Sequence, residues 1–91
     1  MCIINVYDIM QNRAYPDAGG VLFDMIEKRI NDNEKIVLDL TNVISLPSMF
    51  LNMSLGVFIE KYGIDLLREK ISFTKISATQ AKRIKEYIER F

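Results

Sequence analysis

One short stretch near the middle of the chain, residues 36–40, constrains the fold more than any other. It reads Ile-Val-Leu-Asp-Leu, an apolar run interrupted by a single acid, which predicts a central strand covered on both faces. Apolar residues recur at helical spacing before it, over 21–30, and after it, over 51–62, so each flank predicts an amphipathic helix. Strands and helices that alternate in this way are typical of α/β domains with a mostly parallel sheet.

Local signals place the other strands and the start of the first helix. Residues 3–7 are rich in β-forming side chains and predict a first strand, whereas residues 71–74 alternate in polarity and predict a third. Residues 8–18 contain turn-forming side chains and predict a connection. The helix that follows should begin at Pro16 or Asp17, because both residue types favour the first helical turn.

The last helix begins at a capping box, in which Ser77 is followed three residues later by Gln80. Its periodicity predicts a buried face made of Ala81, Ile84, Ile88 and Phe91. Its basic residues, Arg83 among them, are predicted to form a solvated face with the interleaved acids.

The predicted order is β-α-β-α-turn-β-α. This describes a small α/β domain with at most four helices packed on a mostly parallel or mixed sheet of three to four strands. Residues that share an inward periodicity predict one core, made of Val37, Leu38, Leu55, Phe58, Phe73, Ile84 and Ile88.

Length and charge bound the class of protein. The 91 residues suit one domain, 1–91, whose small core leaves a thin stability margin that a homodimer or another partner would improve. Lys and Arg together number 12, as do Asp and Glu. This balance argues against nucleic acid and against an anionic membrane surface as partners.

Targeting signals and cysteine pairs are both missing from the sequence. No apolar run reaches the roughly 20 residues of a membrane span, and the first residues lack the basic segment of a signal peptide. Cys2 is the only cysteine, so no internal disulfide can form. A reducing cytoplasm is the expected location.

The sequence contains no histidine. This excludes Ser-His-Asp and Cys-His catalysis and removes the commonest ligand of transition metals. Since no other nucleophile–base spacing or metal motif is visible, we expect no catalytic residues, no metal, no cofactor and no enzymatic activity.

A family resemblance emerges between the second strand and the helix after it. The strand ends in Asp39-Leu40-Thr41, a loop follows, and Ser48 opens a helix containing Phe50-Leu51-Asn52 and Gly56. Upstream, Ala18-Gly19-Gly20 leads into the preceding helix. This pattern resembles the STAS-like domains of unknown function known as DUF4325, and it implies a STAS-like fold and a role in bacterial regulation.

More distantly, the chain is similar to the STAS domains of anti-sigma-factor antagonists. In those proteins a serine at a helix N-terminus is phosphorylated by a kinase of the histidine-kinase-like ATPase superfamily. Counting from Asp39 places Ser48 at that serine, although Pro47 stands where that family has Asp. The resemblance therefore implies an ATPase-type kinase as protein partner and Ser48 as a candidate phosphosite.

Three residues of this segment also have structural interpretations. Ser48 is predicted to be the N-cap of a helix that begins at Met49. Asn52 is a poor helix former and should either fix a neighbouring loop through a hydrogen bond or contact a ligand. Gly56 should allow close approach of the sheet or of another helix.

The leading hypothesis is a non-catalytic regulatory module that docks a signalling partner through residues 41–53. The predicted partner-binding residues are Leu46, Pro47, Ser48, Met49, Asn52 and Met53, of which the apolar ones are expected to be exposed. The alternative is a small-ligand or nucleotide site at the strand ends, using Asp39 and Ser45. For Asp39 itself, a carboxylate that braces its own loop is favoured over a catalytic one. A cavity of roughly 300 Å³ or more would favour the ligand site, and a flat apolar surface would favour docking.

Overall fold

The sheet has three parallel strands. In the computed structural model, which describes residues 1–91, β1 (Cys2–Asn5), β2 (Ile36–Asp39) and β3 (Ile71–Thr74) lie side by side in that order. Ile4 pairs with Leu38 and Leu38 with Phe73. The predicted α/β class, the parallel sheet and the bounds of the third strand are therefore confirmed.

Helices fill the connections between and around the strands. They are α1 (Val6–Met10), α2 (Tyr15–Asn31), α3 (Ser48–Leu51), a π-helical turn (Asn52–Gly56), α4 (Val57–Tyr62), α5 (Ile64–Lys70) and α6 (Ala78–Ile88). The segments from Ser48 to Tyr62 are continuous and are here called the central helix. Counted this way there are five helices. None of them is both long enough and apolar enough to cross a membrane.

The prediction of at most four helices is wrong because α1 was not foreseen and α5 is longer than the predicted turn. The first strand was expected to reach Tyr7, but it ends at Asn5, whose side-chain oxygen accepts a hydrogen bond of 3.0 Å from the Asp8 N–H. That bond caps α1. A local cap thus outweighs the β propensity of Val6 and Tyr7, since propensity is a weak preference.

Helices cover only one face of the sheet. Leu38 is 2% exposed, whereas Ile3, on the opposite face, is 61% exposed. Ser72, which lies on that same face at the other edge of the sheet, is also exposed. Parallel crossovers are almost always right-handed, so two crossovers that step across the sheet in the same direction place both helices on the same face. The expectation that β2 would be covered on both faces is wrong for this reason.

The same asymmetry sorts the predicted core. Leu38, Leu55, Phe58 and Ile84 are buried together in one cluster, whereas Val37, Phe73 and Ile88 are half-buried. Val37 belongs to the open face of the sheet, which explains its exposure. Phe73 and Ile88 pack at the margin of the cluster, because no strand or helix covers the outer edge of β3.

Helix α6 is rotated relative to its predicted orientation. Its buried residues are Gln80, Ile84 and Tyr87, while Ala81 is exposed and Phe91 is 51% exposed. The predicted capping box at its start is confirmed, with the Ser77 hydroxyl accepting from the Gln80 N–H at 3.1 Å.

The central helix is packed between α2 and α6, and a glycine lies at each contact. A Cβ atom on Gly19 of α2 would lie 2.6 Å from the Phe50 carbonyl oxygen, and one on Gly56 would lie 2.5 Å from the Tyr87 hydroxyl. The interpretation of Gly56 as a close-packing residue is therefore confirmed, with α6 as the neighbour.

At its other end, α2 is linked to the central helix by a polar cluster. The Glu27 carboxylate accepts hydrogen bonds from Lys61 Nζ and from the Tyr62 hydroxyl. Both bonds lower the pKa of Glu27, and the bond from Lys61 has the larger effect. Gly63 then ends the central helix with φ 91° and ψ 158°, a conformation open essentially to glycine alone.

Candidate functional site

The loop after β2 begins with a turn that Asp39 holds in place. One carboxylate oxygen accepts from the Thr41 hydroxyl at 2.6 Å and from the Thr41 N–H at 2.9 Å. Both bonds lower the pKa of Asp39, and the bond from the hydroxyl has the larger effect. Asn42 follows with φ 68°, a left-handed conformation that Asn tolerates better than most residues. Asp39 therefore braces its own loop.

Helix α6 grips the same loop from the other side. Gln80 Nε2 donates to the Val43 carbonyl at 2.6 Å, and Arg83 Nε donates to the Leu46 carbonyl at 3.2 Å. Gln80 is 8% exposed, and its side-chain oxygen accepts from the Ser77 N–H at 3.0 Å. One amide group thus completes the cap of α6 and fixes the loop. We call the contacts of Gln80 and Arg83 with residues 43–48 the clasp.

Ser48 belongs to the clasp and is not an N-cap. It is the first residue of the central helix, with Pro47 in the capping position and no side-chain cap. The Ser48 hydroxyl instead accepts a hydrogen bond of 2.9 Å from Arg83 Nη2. The predicted cap is wrong because the helix starts one residue earlier than expected. Arg83 is half-buried rather than part of a solvated face.

Asn52 joins the central helix to α6. Its side-chain oxygen accepts from the Tyr87 hydroxyl at 2.7 Å, so it fixes a helix rather than the loop that the sequence suggested. The π-helical turn begins at this residue, and within it the buried Ser54 hydroxyl donates to the Phe50 carbonyl at 2.8 Å. Side chains that bond back to the preceding turn often bend helices.

The exposed apolar residues of this region form a surface that we call the apolar patch: Tyr15, Ile44, Met49 and Met53. Ile44 is 94% exposed and Met49 is 58% exposed. Tyr15 and Ile44 line the same cleft, and Met49 and Met53 lie one turn apart on one helix face. Met53 contacts the Gly19 position of α2, which lies one turn after Tyr15, so both pairs of side chains border the first turns of α2.

Of the predicted partner-binding residues, the structure leaves Met49, Met53, Ser48 and Asn52 exposed. Pro47 is half-buried, and Leu46 is 6% exposed, so the expectation that Leu46 would be an exposed contact is wrong. Val43 and Leu46 turn into the core while Ile44, between them, points outward. Loop residues have no fixed periodicity, so this division was not visible in the sequence.

Sequence reasoning also missed Arg83 and Ile44. Arg83 lies three residues after Gln80, hence on the same side of α6, and this spacing could have revealed it once Gln80 was known to be buried. For Ile44 the only available signal was an isolated apolar residue among the polar residues of a loop.

Two small clefts flank the loop, with volumes of about 170 Å³ and about 250 Å³. Ser45 lines both of them, and Asp39 lines neither, so the structure does not bring the two candidate ligand-binding residues together. Both volumes fall below the range of about 300–1,000 Å³ that is usual for small-molecule sites. No three side chains of Asp, Glu or Cys lie close enough together to hold a metal ion.

Comparison with protein families identifies the domain. The family profile of the STAS-like domain of unknown function (DUF4325) matches residues 18–81, which is well over half of the chain. The chain belongs to this family. The match spans the glycine-containing start of α2, the braced loop and the whole central helix, as the sequence pattern implied. No curated protein and no solved structure shows significant similarity to the chain.

Proposed function

We propose that this STAS-like domain is a non-catalytic regulatory module that docks a signalling protein through residues 41–53. The observation that carries the proposal is the exposure of the apolar patch, above all of Ile44, which is 94% exposed at the tip of the loop. Exposed apolar side chains that are grouped in one region of a small soluble protein mark an interaction site. Two of its four side chains are methionines, which adapt readily to a partner's shape.

The clasp gives the patch a fixed backbone. Bonds from Gln80 and Arg83 to the carbonyl oxygens of Val43 and Leu46 hold the loop on both sides of Ile44. A loop held in place loses less conformational entropy when a partner binds. The small volumes of the flanking clefts also favour a docking surface over the alternative of a small-ligand or nucleotide site near Asp39.

Ser48 would supply regulation at this surface. Its hydroxyl is exposed, lies at a helix N-terminus without a side-chain cap, and contacts Arg83 Nη2 at 2.9 Å. A phosphate on Ser48 would interact favourably with the helix N-terminus and pair with Arg83. It would also add negative charge beside Met49 and so weaken apolar docking. The proposed partner, by distant resemblance, is a kinase of the histidine-kinase-like ATPase superfamily.

The test is binding of the whole chain to a candidate kinase of that superfamily, measured by calorimetry. Ile44→Glu should weaken binding at least about tenfold, because it places a charge in the apolar contact. Met25→Glu is the matched control: Met25 is 41% exposed and lies roughly 15 Å beyond Tyr15 along α2. Equal binding by both variants would contradict the proposed surface.

The phosphosite is tested separately by intact mass after incubation with the kinase and ATP. An added phosphate should be present on the wild-type chain and absent from Ser48→Ala. If an active kinase leaves the mass unchanged, the regulatory role of Ser48 is wrong, while the docking surface still rests on the Ile44 result.

A further inference from the structure

The largest cavity of the molecule lies away from the apolar patch. It is a groove of about 520 Å³ between β3 and α6. We propose that this groove and the outer edge of β3 bind an extended acidic segment of a partner protein as a fourth strand. This binding site goes beyond the proposed function, because it shares no residue with the apolar patch.

The first observation is the backbone of β3. The Leu40 N–H donates to the Thr74 carbonyl at 3.1 Å, so Thr74 directs its backbone groups toward β2. Successive residues of a strand direct these groups to opposite sides, hence the N–H and C=O of Phe73 point away from the sheet. No strand lies on that side, and neither group forms a hydrogen bond elsewhere. An added strand would supply hydrogen-bond partners for these unpaired backbone groups.

The second observation is the shape and polarity of the groove. Ser72 and Phe73 form one wall of the groove, and Ile84 and Ile88 of α6 form the other. Ile76, in the connection from β3 to α6, also lines the groove. Five of the nine lining residues are hydrophobic. Alternate side chains of a strand that paired with β3 would point into this groove, because strand side chains alternate between faces. Four residues, the length of β3, would span about 13 Å.

The third observation is charge. Arg68 and Lys85 lie at the rim with one acid, Glu89, and none of them is in a salt bridge, since the single ion pair of the chain joins Lys61 and Glu27. The chain as a whole is neutral, so this local positive excess is a property of the groove. It complements a segment that carries Asp or Glu.

These features favour a partner's segment over a second copy of the chain. A symmetric contact through β3 would bring the same patch of each copy together, so Arg68 and Lys85 would face their own counterparts. A small amphiphile could fill the groove, but it would leave the Phe73 backbone groups without partners.

The experiment selects random peptides displayed on phage against the whole chain, then measures the affinity of synthetic versions. The expected peptides alternate apolar residues and include Asp or Glu. Lys85→Glu should weaken their binding about fivefold, the effect of one exposed charge contact. Lys82→Glu makes the same charge change on α6 outside the groove and should have no effect. Ile44→Glu should also leave peptide binding unchanged, which separates this result from the test of the apolar patch.

Hydrogen exchange tests whether the bound peptide pairs with β3 as a strand. The Phe73 amide should exchange on the order of tenfold more slowly with peptide bound, and N-methylation of alternate peptide residues should abolish binding. Any of three results would overturn the proposal: selected peptides unaffected by N-methylation or by Lys85→Glu, no enrichment of any peptide, or a dimer of the free chain that Lys85→Glu dissociates. Binding of decanoate in the groove without any peptide binding would also overturn the proposal and would identify a small amphiphile as the ligand.

Discussion

The two sides of the central helix are packed in different ways, although a glycine lies at each contact. On the α2 side, Gly19 lies against atoms whose positions the backbone fixes: its added Cβ would meet the Phe50 carbonyl oxygen at 2.6 Å and Met53 Cβ at 2.7 Å. On the α6 side, the added Cβ of Gly56 would meet the far end of a side chain, the Tyr87 hydroxyl, at 2.5 Å. A backbone cannot move aside as a side chain can.

The difference indicates where the molecule is rigid and where it can adjust. Close backbone packing, as at Gly19, resists any change of volume. Helix α6 is held by the burial of Ile84 and Tyr87 in the core and by polar side-chain bonds, from Tyr87 to Asn52 and through the clasp, each worth about 1 kcal/mol. Because α6 borders both the braced loop and the groove, a small shift of α6 would affect both proposed binding surfaces.

The largest expected effect comes from Gly19→Ala. The new methyl group must displace the backbone at Phe50, so the free energy of unfolding should fall by about 2–3 kcal/mol despite the better helix propensity of Ala. Gly20→Ala is the control, because nothing lies within 4 Å of a Cβ at Gly20. That variant should gain up to about 1 kcal/mol in chemical denaturation. Equal stability of the two variants would refute the rigid contact.

Breaking the clasp at Gln80 should have the next largest effect. In Gln80→Glu the carboxylate can still accept from the Ser77 N–H, but it can no longer donate to the Val43 carbonyl. Stability should fall by about 1–2 kcal/mol at pH 7.

The loss in Gln80→Glu should shrink as the pH falls toward about 4, near the ordinary pKa of Glu. Burial and the facing carbonyl raise the pKa of the new carboxyl, so the penalty is absent when the group is protonated and appears as the pH rises through that pKa. Denaturant titrations of both proteins at several pH values measure this difference. A difference that does not vary with pH would show that the donated bond is unimportant.

Tyr87→Phe removes the bond between α6 and the central helix. The Asn52 oxygen is exposed and regains water, so the expected loss is only about 0.5–1 kcal/mol. Tyr7→Phe provides the reference, since the half-buried Tyr7 hydroxyl forms no side-chain hydrogen bond here. A loss well above that range in thermal and chemical unfolding would mean that α6 is held as rigidly as α2.

Gly56→Ala should change stability least, within about 0.5 kcal/mol of wild type, because better helix propensity offsets the displaced Tyr87 hydroxyl. In the Tyr87→Phe background the same substitution should stabilise the domain, because no hydroxyl remains to be displaced. The double-mutant cycle measures this coupling. If the effects of the two substitutions on stability were strictly additive, Gly56 would not be in contact with the Tyr87 hydroxyl.

Much of the fold could be predicted because its signals are local. The run at 36–40, the alternation at 71–74 and the capping box at Ser77 each depend on adjacent residues, and all three elements formed where expected. The covering of the sheet could not be predicted from β2 alone. It depends on the order of the three strands, which no residue of β2 encodes.

The site was predictable only in part, for a related reason. Pattern and resemblance anticipated the bracing role of Asp39, while the docking role of the segment 41–53 stays a prediction. They did not reveal that Arg83 donates a hydrogen bond to the Ser48 hydroxyl, because that contact joins residues 35 positions apart. Nor did they separate Leu46, which is buried, from Ile44, which is not, since side-chain direction in a loop depends on contacts that form only in the folded chain.

The simple strand order has a further consequence for ligands. In open α/β sheets, small molecules bind where the order of strands reverses, because helices on opposite faces part there and leave a crevice at the carboxyl ends. Here the order β1-β2-β3 runs in one direction without reversal. The sheet therefore has no switch point, and the carboxyl end of β2 carries a braced turn at Asp39 in place of a crevice. A nucleotide site of that kind would require another strand beyond β1, with its helix on the face that is now bare.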